Sequence, residues 1–349
     1  MPRTPRYKVK NMTIRMNLGE NSYDIVVERG ILARAHQYLN LERRVLVVTD
    51  DGVPPQYAQT VVAACKEGVL CTVSQGEGSK SMDTLSTLLQ TMLDHGFSRR
   101  DCVVAVGGGV VGDLAGFAAS TYMRGIDFYN VPTTLLSQID SSIGGKTAVN
   151  FGGVKNSVGA FYAPKQVLIG PDLLSTLPPR QMANGLAEAV KMALTSDPDL
   201  FALLENEDIA THLDEIIFRS LRIKKSVVEQ DEREQGLRRV LNFGHTIGHG
   251  IEVSTPDLYH GECVALGMLP FCGDAIRPRV MAVLKKCGLT RTPAYDWDRI
   301  TAAAFHDKKA DGDTVTVVTV EDIGHFEMKK MPCLAVIEAA KACLEGLVA

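Results

Sequence analysis

"DCVVAVGGGVVGDLAGF", residues 101–117, decides the fold. It opens on a run of β-branched and small apolar residues with no polar face, breaks at glycine, and continues with apolar residues at helical spacing. A strand with no solvated side belongs to a parallel sheet covered on both faces, so the stretch reads as strand, tight turn and helix of an α/β layer. The same grammar extends upstream. Residues 43–50, "RRVLVVTD", read as a buried strand, 55–66 as a helix, 69–75 ("VLCTVSQ") as a strand and 80–95 as a helix. Before them, 12–28 reads as two strands around a Gly-Glu-Asn turn. The decisive strand is about the fifth in the chain. The ordinary two-halved Rossmann order, with its glycine-rich turn after the first strand, is therefore not expected.

Downstream, the pattern changes after about residue 171. "LPPRQMANGLAEAVKMALT", "DPDLFALLENEDIATHLDEIIFRSLRIKKSVVE" and the region 241–290 carry apolar residues three and four apart, which predicts helices. Two late strand-like runs, "TVTVVTV" and "GHFEMKKM", precede a closing helix from about 333. The expected fold class is thus an α/β Rossmann-like N-terminal domain over 1–170, followed by a mainly α-helical C-terminal domain over 171–349. No repeat, low-complexity segment or flexible linker is visible.

Composition excludes several function classes. The chain has 349 residues, a net charge of −4 and a pI near 6.1, with dispersed lysines and arginines, so neither nucleic acid nor an anionic membrane is an expected partner. No apolar run reaches the roughly 20 residues of a membrane helix, and the leading "MPRTPRYKVKN" has no hydrophobic stretch behind it; a cytoplasmic protein is expected. Eight cysteines include no CxxC pair and mostly sit in apolar runs, which suits small core residues rather than disulfides or a thiolate zinc site.

Gly107, Gly109 and Gly112 fit GxGxxG between strand and helix, where a bare backbone and free helix N–H groups suit a pyrophosphate. Glycines also serve tight strand-to-helix packing. Asp50 closes one strand, where a carboxylate can accept ribose hydroxyls, and Glu77 and Lys80 in "GEGSK" follow another strand end. Each by itself is an ordinary cap or loop charge; together they point to a dinucleotide. Between 131 and 161, Asp140, Lys146, Lys155 and Asn156 sit among five glycines and several hydroxyl side chains. Mobile ammonium groups on glycine-rich backbone suit phosphate, and a polar surface loop is the alternative.

Histidines supply the remaining signal. In "LNFGHTIGHG", residues 241–250, His245 and His249 share a face if the segment is helical, as Glu188 and Lys191 do in "NGLAEAVKMALT". A catalytic zinc takes three N/O side chains and leaves one position open. Spacing nominates His245, His249 and one of His260, Glu262 or Glu188, and leaves the third ligand undecided. The alternative is that these imidazoles cap glycine turns.

"GGGVVGDLAGF", "RGIDFYNVPTTLLSQIDSSIGGKTAVN", "GLAEAVK", "DEREQGLRRVLNFGHTIGHGIE" and "HGECVALGM" resemble, in order, the signature blocks of the 3-dehydroquinate synthase family, and the resemblance runs from about residue 12 to the end. It implies a shikimate-pathway enzyme that turns 3-deoxy-D-arabino-heptulosonate 7-phosphate into 3-dehydroquinate and phosphate. The implied course is transient oxidation by NAD, elimination of phosphate, re-reduction, ring opening and intramolecular aldol closure. NAD, a divalent metal (zinc or cobalt) and a homodimer are implied with it. Carried over by position, the metal ligands are Glu188, His245 and His260, which replaces His249 of the spacing argument. His249, Lys146, Asn156 and either Lys308 or Lys309 then face the substrate phosphate. Arg238 and Lys224 hold its carboxylate, while Asp140, Lys191 and Asn242 contact hydroxyls or order the ring. Arg124 reaches toward phosphate across the dimer. The implied NAD contacts are Asp50, Glu77, Lys80, Gly107, Gly108 and Asp113, with Thr133, Thr134 and Lys155. Two departures are visible: Gly52 in "TDDGV" stands where many members have a polar residue near the adenine ribose, and the first eleven residues have no counterpart. Rival readings are a sister sugar phosphate cyclase, a metal-dependent polyol dehydrogenase, and a non-catalytic NAD-binding descendant.

Overall fold

The computed structural model describes residues 12–305 and 313–347. Lys308, Lys309 and the leading eleven residues lie outside them. The chain divides into two compact units, Met1–Pro178 and Pro179–Ala349.

The first unit contains strands β1 (Met12–Met16), β2 (Tyr23–Val27), β3 (Arg44–Asp50), β4 (Glu67–Val73), β5 (Cys102–Gly107), β6 (Asp127–Pro132), β7 (Lys146–Phe151), β8 (Val154–Phe161) and β9 (Gln166–Ile169). Its helices are α1 (Ala35–Tyr38), α2 (Pro55–Ala63), α3 (Met82–Asp94) and α4 (Gly109–Thr121). Seven strands form one sheet in the order β1-β2-β9-β6-β5-β3-β4, parallel throughout except for the β1–β2 pair. Alternate residues of each central strand go to opposite faces. Val45, Val47 and Val104 pack with Ala58 and Val61 of α2, whereas Leu46, Val48 and Val103 face Leu88 of α3 and Leu114 of α4.

That segregation follows from chain direction. The chain leaves β3 for β4 one way and returns past β3 to β5 the other way, and right-handed crossovers then put α2 and α3 on opposite faces. The order reverses between β3 and β5. A crevice opens at such a switch point, outside the carboxyl ends of the strands.

Between 131 and 161 the structure holds more than a loop. A π-helical turn over Ser137–Ser141 leads into an antiparallel ribbon of β7 and β8, closed by Gly152 and Gly153 at φ +60° and +79°. Consecutive left-handed residues make the primed turn that matches strand twist. The first unit also runs a few residues past the change of character near 170. Gly30 N donates to Asp172 Oδ1 at 2.8 Å, and Leu173 sits in the sheet's core, so the Pro171–Thr176 turn belongs to the sheet.

The second unit is mainly helical: α5 (Pro179–Ser196), α6 (Pro198–Asn206), α7 (Leu213–Gln230), α8 (His245–Ser254), α9 (His260–Met268), α10 (Arg277–Lys286), α11 (Trp297–Ala304) and α12 (Cys333–Glu345), with the hairpin β10 (Thr314–Asp322) and β11 (His325–Pro332). Three of its helices meet through glycine. A Cβ on Gly267 of α9 would lie 2.0 Å from the carbonyl oxygen of Gly244, one on Gly248 3.1 Å from that of Cys263, and one on Gly261 2.2 Å from that of Asn184 on α5. Gly267→Ala should therefore destabilise the chain by about 1–3 kcal/mol through overpacking. Gly78, with nothing within 4 Å of its would-be Cβ, is the control. Equal denaturant midpoints for Gly267→Ala and Gly78→Ala would contradict the close helix contact.

Candidate metal centre and nucleotide crevice

Glu188 sits in the middle of α5 with its side chain fully buried. His245 opens α8 and His260 opens α9, so the glycine contacts that press these helices together also bring the three side chains together. Their ligand atoms lie within 4.8 Å of one another. His245 Nε2 is 3.7 Å and His260 Nε2 3.6 Å from Glu188 Oε1. Ligands about 2.1 Å from a tetrahedral ion stand about 3.4 Å apart, so these spacings already suit one.

The orphaned atoms make the stronger case. Glu188 Oε1 accepts no hydrogen bond, whereas Oε2 is met by the Lys191 ammonium as an ion pair. His245 Nδ1 faces the Phe243 carbonyl at 3.1 Å, which makes it the protonated nitrogen and leaves the Nε2 lone pair aimed at the carboxylate. Lone pair against carboxylate is repulsive unless a cation lies between them. Burial, followed by the nearby Lys191 ammonium, holds His245 well below the ordinary imidazole value, so it is a neutral donor. Complete burial works to raise Glu188, but Lys191 and His260 outweigh it and hold the carboxyl down to about 2. Two imidazoles and a carboxylate suit zinc or cobalt.

Spacing had left His260, Glu262 and Glu188 open as the third ligand. Glu262 is engaged elsewhere: it takes a two-pronged ion pair from Arg180 at 2.9 and 2.7 Å and accepts the Tyr259 N–H at 2.7 Å, capping α9. His249 lies one turn beyond His245, exposed, with its ring 5.1 Å from His245 and 5.8 Å from His260, at the rim of the centre. Lys191 is buried beside Glu188. Lys224 on α7 and Arg238 in the Leu237–Asn242 turn are also buried, and that turn packs on α5 and α7. Asn242 donates to Glu234 Oε1 at 2.6 Å, and Glu234 holds a left-handed backbone at φ +59°. Glu252, which contacts His260 Nδ1 at 3.3 Å, and Glu234 are polar groups that the sequence did not single out. For Glu252 a signal existed: it stands seven residues after His245, on the same helical stripe.

In the first unit, the carboxyl ends of β3, β5 and β6 place Asp50, Gly107, Gly108 and Thr133 along the edge of the switch point. Gly108 caps α4, and a Cβ there would press on Thr134 Cγ2 at 3.1 Å. Gly112 abuts Asn130 instead, so it serves helix packing, the alternative weighed for these glycines. Asp50 accepts the Gly52 N–H at 2.9 Å, an ordinary turn contact. At position 52 a Cβ would meet only the end of the exposed Gln75 side chain, which can swing aside, so packing does not require the glycine there.

Lys80 is buried and donates to Asp113 Oδ2 at 2.7 Å and to Asn156 Oδ1. Asn150 accepts the Asn156 N–H at 2.8 Å and donates to Glu77 Oε1 at 2.9 Å. This network ties the turn after β4 to the β7–β8 ribbon and to α4. Burial pushes Asp113 up to about 6 against the opposing pull of Lys80. Asn156 Oδ1 is thus engaged by Lys80 within the sheet unit. Lys146 and Lys155 are exposed on the ribbon, Asp140 is half-buried in the π-helical turn, and Arg124 is exposed in the turn after α4 at φ +68°.

A parallel sheet with a switch point between β3 and β5, and a helical unit with a buried carboxylate between two imidazoles, fit a class: a nucleotide-dependent metalloenzyme. Comparison with known proteins narrows it. Residues 70–184 match the 3-dehydroquinate synthase N-terminal family and residues 185–310 its C-terminal counterpart. A 3-dehydroquinate synthase of Streptococcus suis is 39% identical over 351 residues, covering 94% of this chain and 99% of its own, and one of Enterococcus faecalis is 42% identical over 344, covering 92% and 96%. The chain belongs to the 3-dehydroquinate synthase family. Among solved structures, a 2-deoxy-scyllo-inosose synthase complexed with carbaglucose-6-phosphate, NAD+ and Co2+ superposes with a TM-score of 0.87 at 27% identity, covering 95% of this chain and 100% of that one. A 2-epi-5-epi-valiolone synthase from Streptomyces hygroscopicus with NAD+ and Zn2+ bound gives 0.84 at 31%, covering 93% and 97%. A probable glycerol dehydrogenase from Sinorhizobium meliloti, at 16% identity and 0.62, shares the fold.

The centre has a pH signature. Burial lowers His260, but the carboxylates of Glu188 and Glu252 outweigh it and push the imidazole up to about 9. An entering ion must displace that proton, so apparent zinc affinity should fall about tenfold per unit as pH drops below about 9. In metal-free protein the sign reverses: this raised group adds stability that is complete below the unfolded imidazole value near 6.5 and is lost as pH rises through about 9. Calorimetric zinc titrations and melts of chelated wild type against His260→Gln check both. Zinc affinity independent of pH between about 7 and 9 would be the contrary result.

Proposed function

We propose that the chain converts 3-deoxy-D-arabino-heptulosonate 7-phosphate to 3-dehydroquinate and inorganic phosphate, using NAD at the switch-point crevice and a zinc or cobalt ion on Glu188, His245 and His260. The observation that carries this is the buried Glu188 carboxylate, whose Oε1 accepts no hydrogen bond and is faced by two imidazole nitrogens in a chain of this family. When bound, the ion supplies Lewis acidity to neighbouring hydroxyls and NAD a reversible hydride acceptor.

The chain's own residues do the rest by holding and orienting. The Arg238 guanidinium offers a planar fork to the substrate carboxylate, with Lys224 as a second cation. Lys146, Asn156, His249 and Lys308 or Lys309 hold the phosphate, and Lys191, Asp140 and Asn242 contact hydroxyls. As the family resemblance implies, the departing phosphate takes the proton itself, held in reach by these cations, and among the described residues no side chain stands out as the base. Aldol closure needs the enolate and carbonyl held in register, which positioning supplies. Asp50, Glu77, Lys80, Asp113, Gly107, Gly108, Thr133, Thr134 and Lys155 form the NAD side.

A sister cyclase acting on a sugar phosphate without a carboxylate is the second reading, favoured by the structural likeness to such enzymes. Two buried cations, Arg238 and Lys224, favour the acidic substrate. A polyol dehydrogenase would accumulate NADH. We further propose a cytoplasmic homodimer: all eight cysteines are free, which suits a reducing compartment, and Phe151, Val154 and Phe161 leave the ribbon's surface 40–59% exposed, as an interface would. No described helix is long and apolar enough to cross a membrane.

Purified protein given the heptulosonate phosphate, NAD and zinc should release phosphate with no net NADH; steady NADH production would reject the cyclase reading. Glu188→Gln should abolish zinc-dependent turnover while the fold survives, as judged by circular dichroism. Arg238→Ala should weaken substrate binding by about 2–5 kcal/mol, read as a raised KM. An unchanged KM would remove Arg238 from the carboxylate site.

A further inference from the structure

His260 is held from both sides. Its Nε2 faces Glu188 at 3.6 Å, and its Nδ1 faces Glu252 Oε2 at 3.3 Å. Glu252 lies on the stripe of α8 that also carries His245 and His249, and its side chain is 18% exposed. A carboxylate on the far nitrogen of a ligating imidazole fixes which nitrogen carries the proton, sets the ring's orientation and makes the near nitrogen a better donor. His245 gets the same service from the Phe243 carbonyl, a neutral acceptor. The two imidazoles are therefore held unequally.

We propose that Glu252 is a positioning residue of the metal centre: it holds Nδ1–H of His260 so that Nε2 is presented to the ion. The inference rests on the metal ligands named above and adds a residue outside them. It also separates two uses of one carboxylate, because Glu252 with His249 and His260 forms a second triplet with ligand atoms within 4.8 Å. In the positioning role, Glu252 never touches the ion.

Metal titrations against a chromophoric chelator, with zinc and with cobalt, distinguish the roles. Glu252→Ala should weaken metal binding about 10- to 100-fold. Glu252→Gln, whose amide oxygen still accepts from Nδ1–H, should lose less. Both should keep one ion per chain, the wild-type cobalt absorption spectrum at saturation, and wild-type NAD affinity. Unchanged metal affinity in both variants overturns the proposal. So does a fall from two bound ions to one, which would make Glu252 a ligand of a second site. Glu188→Gln is measured beside them: if it binds the ion as wild type does, the ligand assignment has failed, whatever Glu252 does.

Discussion

A carboxylate with no access to water, one of whose oxygens accepts no hydrogen bond, organises the helical unit. Burying one ion costs several kcal/mol even after relaxation, and the cost persists unless positive charge is brought to it. At Glu188 the fold supplies Lys191 from the next turn of the same helix and two imidazoles from two other helices. For those imidazoles to arrive, α5, α8 and α9 must approach closer than side chains allow. Gly244, Gly248, Gly261 and Gly267 meet that requirement, which ties the charge at the centre to glycines beside the two histidines and one and two helical turns beyond them.

The sheet unit answers to a different constraint, the direction of chain crossing. One reversal between β3 and β5 puts the ends of both strands at the mouth of a crevice and sends their helices to opposite faces. The network from Lys80 to Asp113, Asn156, Asn150 and Glu77 then pins the ribbon to the sheet beside that crevice. Its members come from four elements that share no local pattern, yet each donor meets an acceptor.

What the sequence made legible follows from what is periodic. Strands buried on both faces announce themselves as valine runs, and long amphipathic helices as three-four spacing, so the α/β half and the helical half were both readable. The histidines of α8 were visible as a pair because helical neighbours are near in sequence. The choice among Glu188, His260 and Glu262 was not readable from spacing: it depends on how three helices cross, and only the family resemblance selected Glu188 and His260. Glu262 looked equally suitable until its Arg180 partner was seen. The β7–β8 ribbon escaped because most of β8 is exposed and carries no alternation, although the Gly152-Gly153 pair marked its turn. Glu234 was hidden because its contact with Asn242 follows from the turn between them, whereas Glu252 lay on the His245 stripe but gains its meaning only from His260 on another helix.

Backbone pressed on backbone at Gly267 and Gly244 leaves nothing there to rotate or compress. The spacing of His245 and His260 from Glu188 is therefore set by main chain, while the two imidazoles keep 13% and 27% exposure, so the centre is rigid in its walls and open on one side.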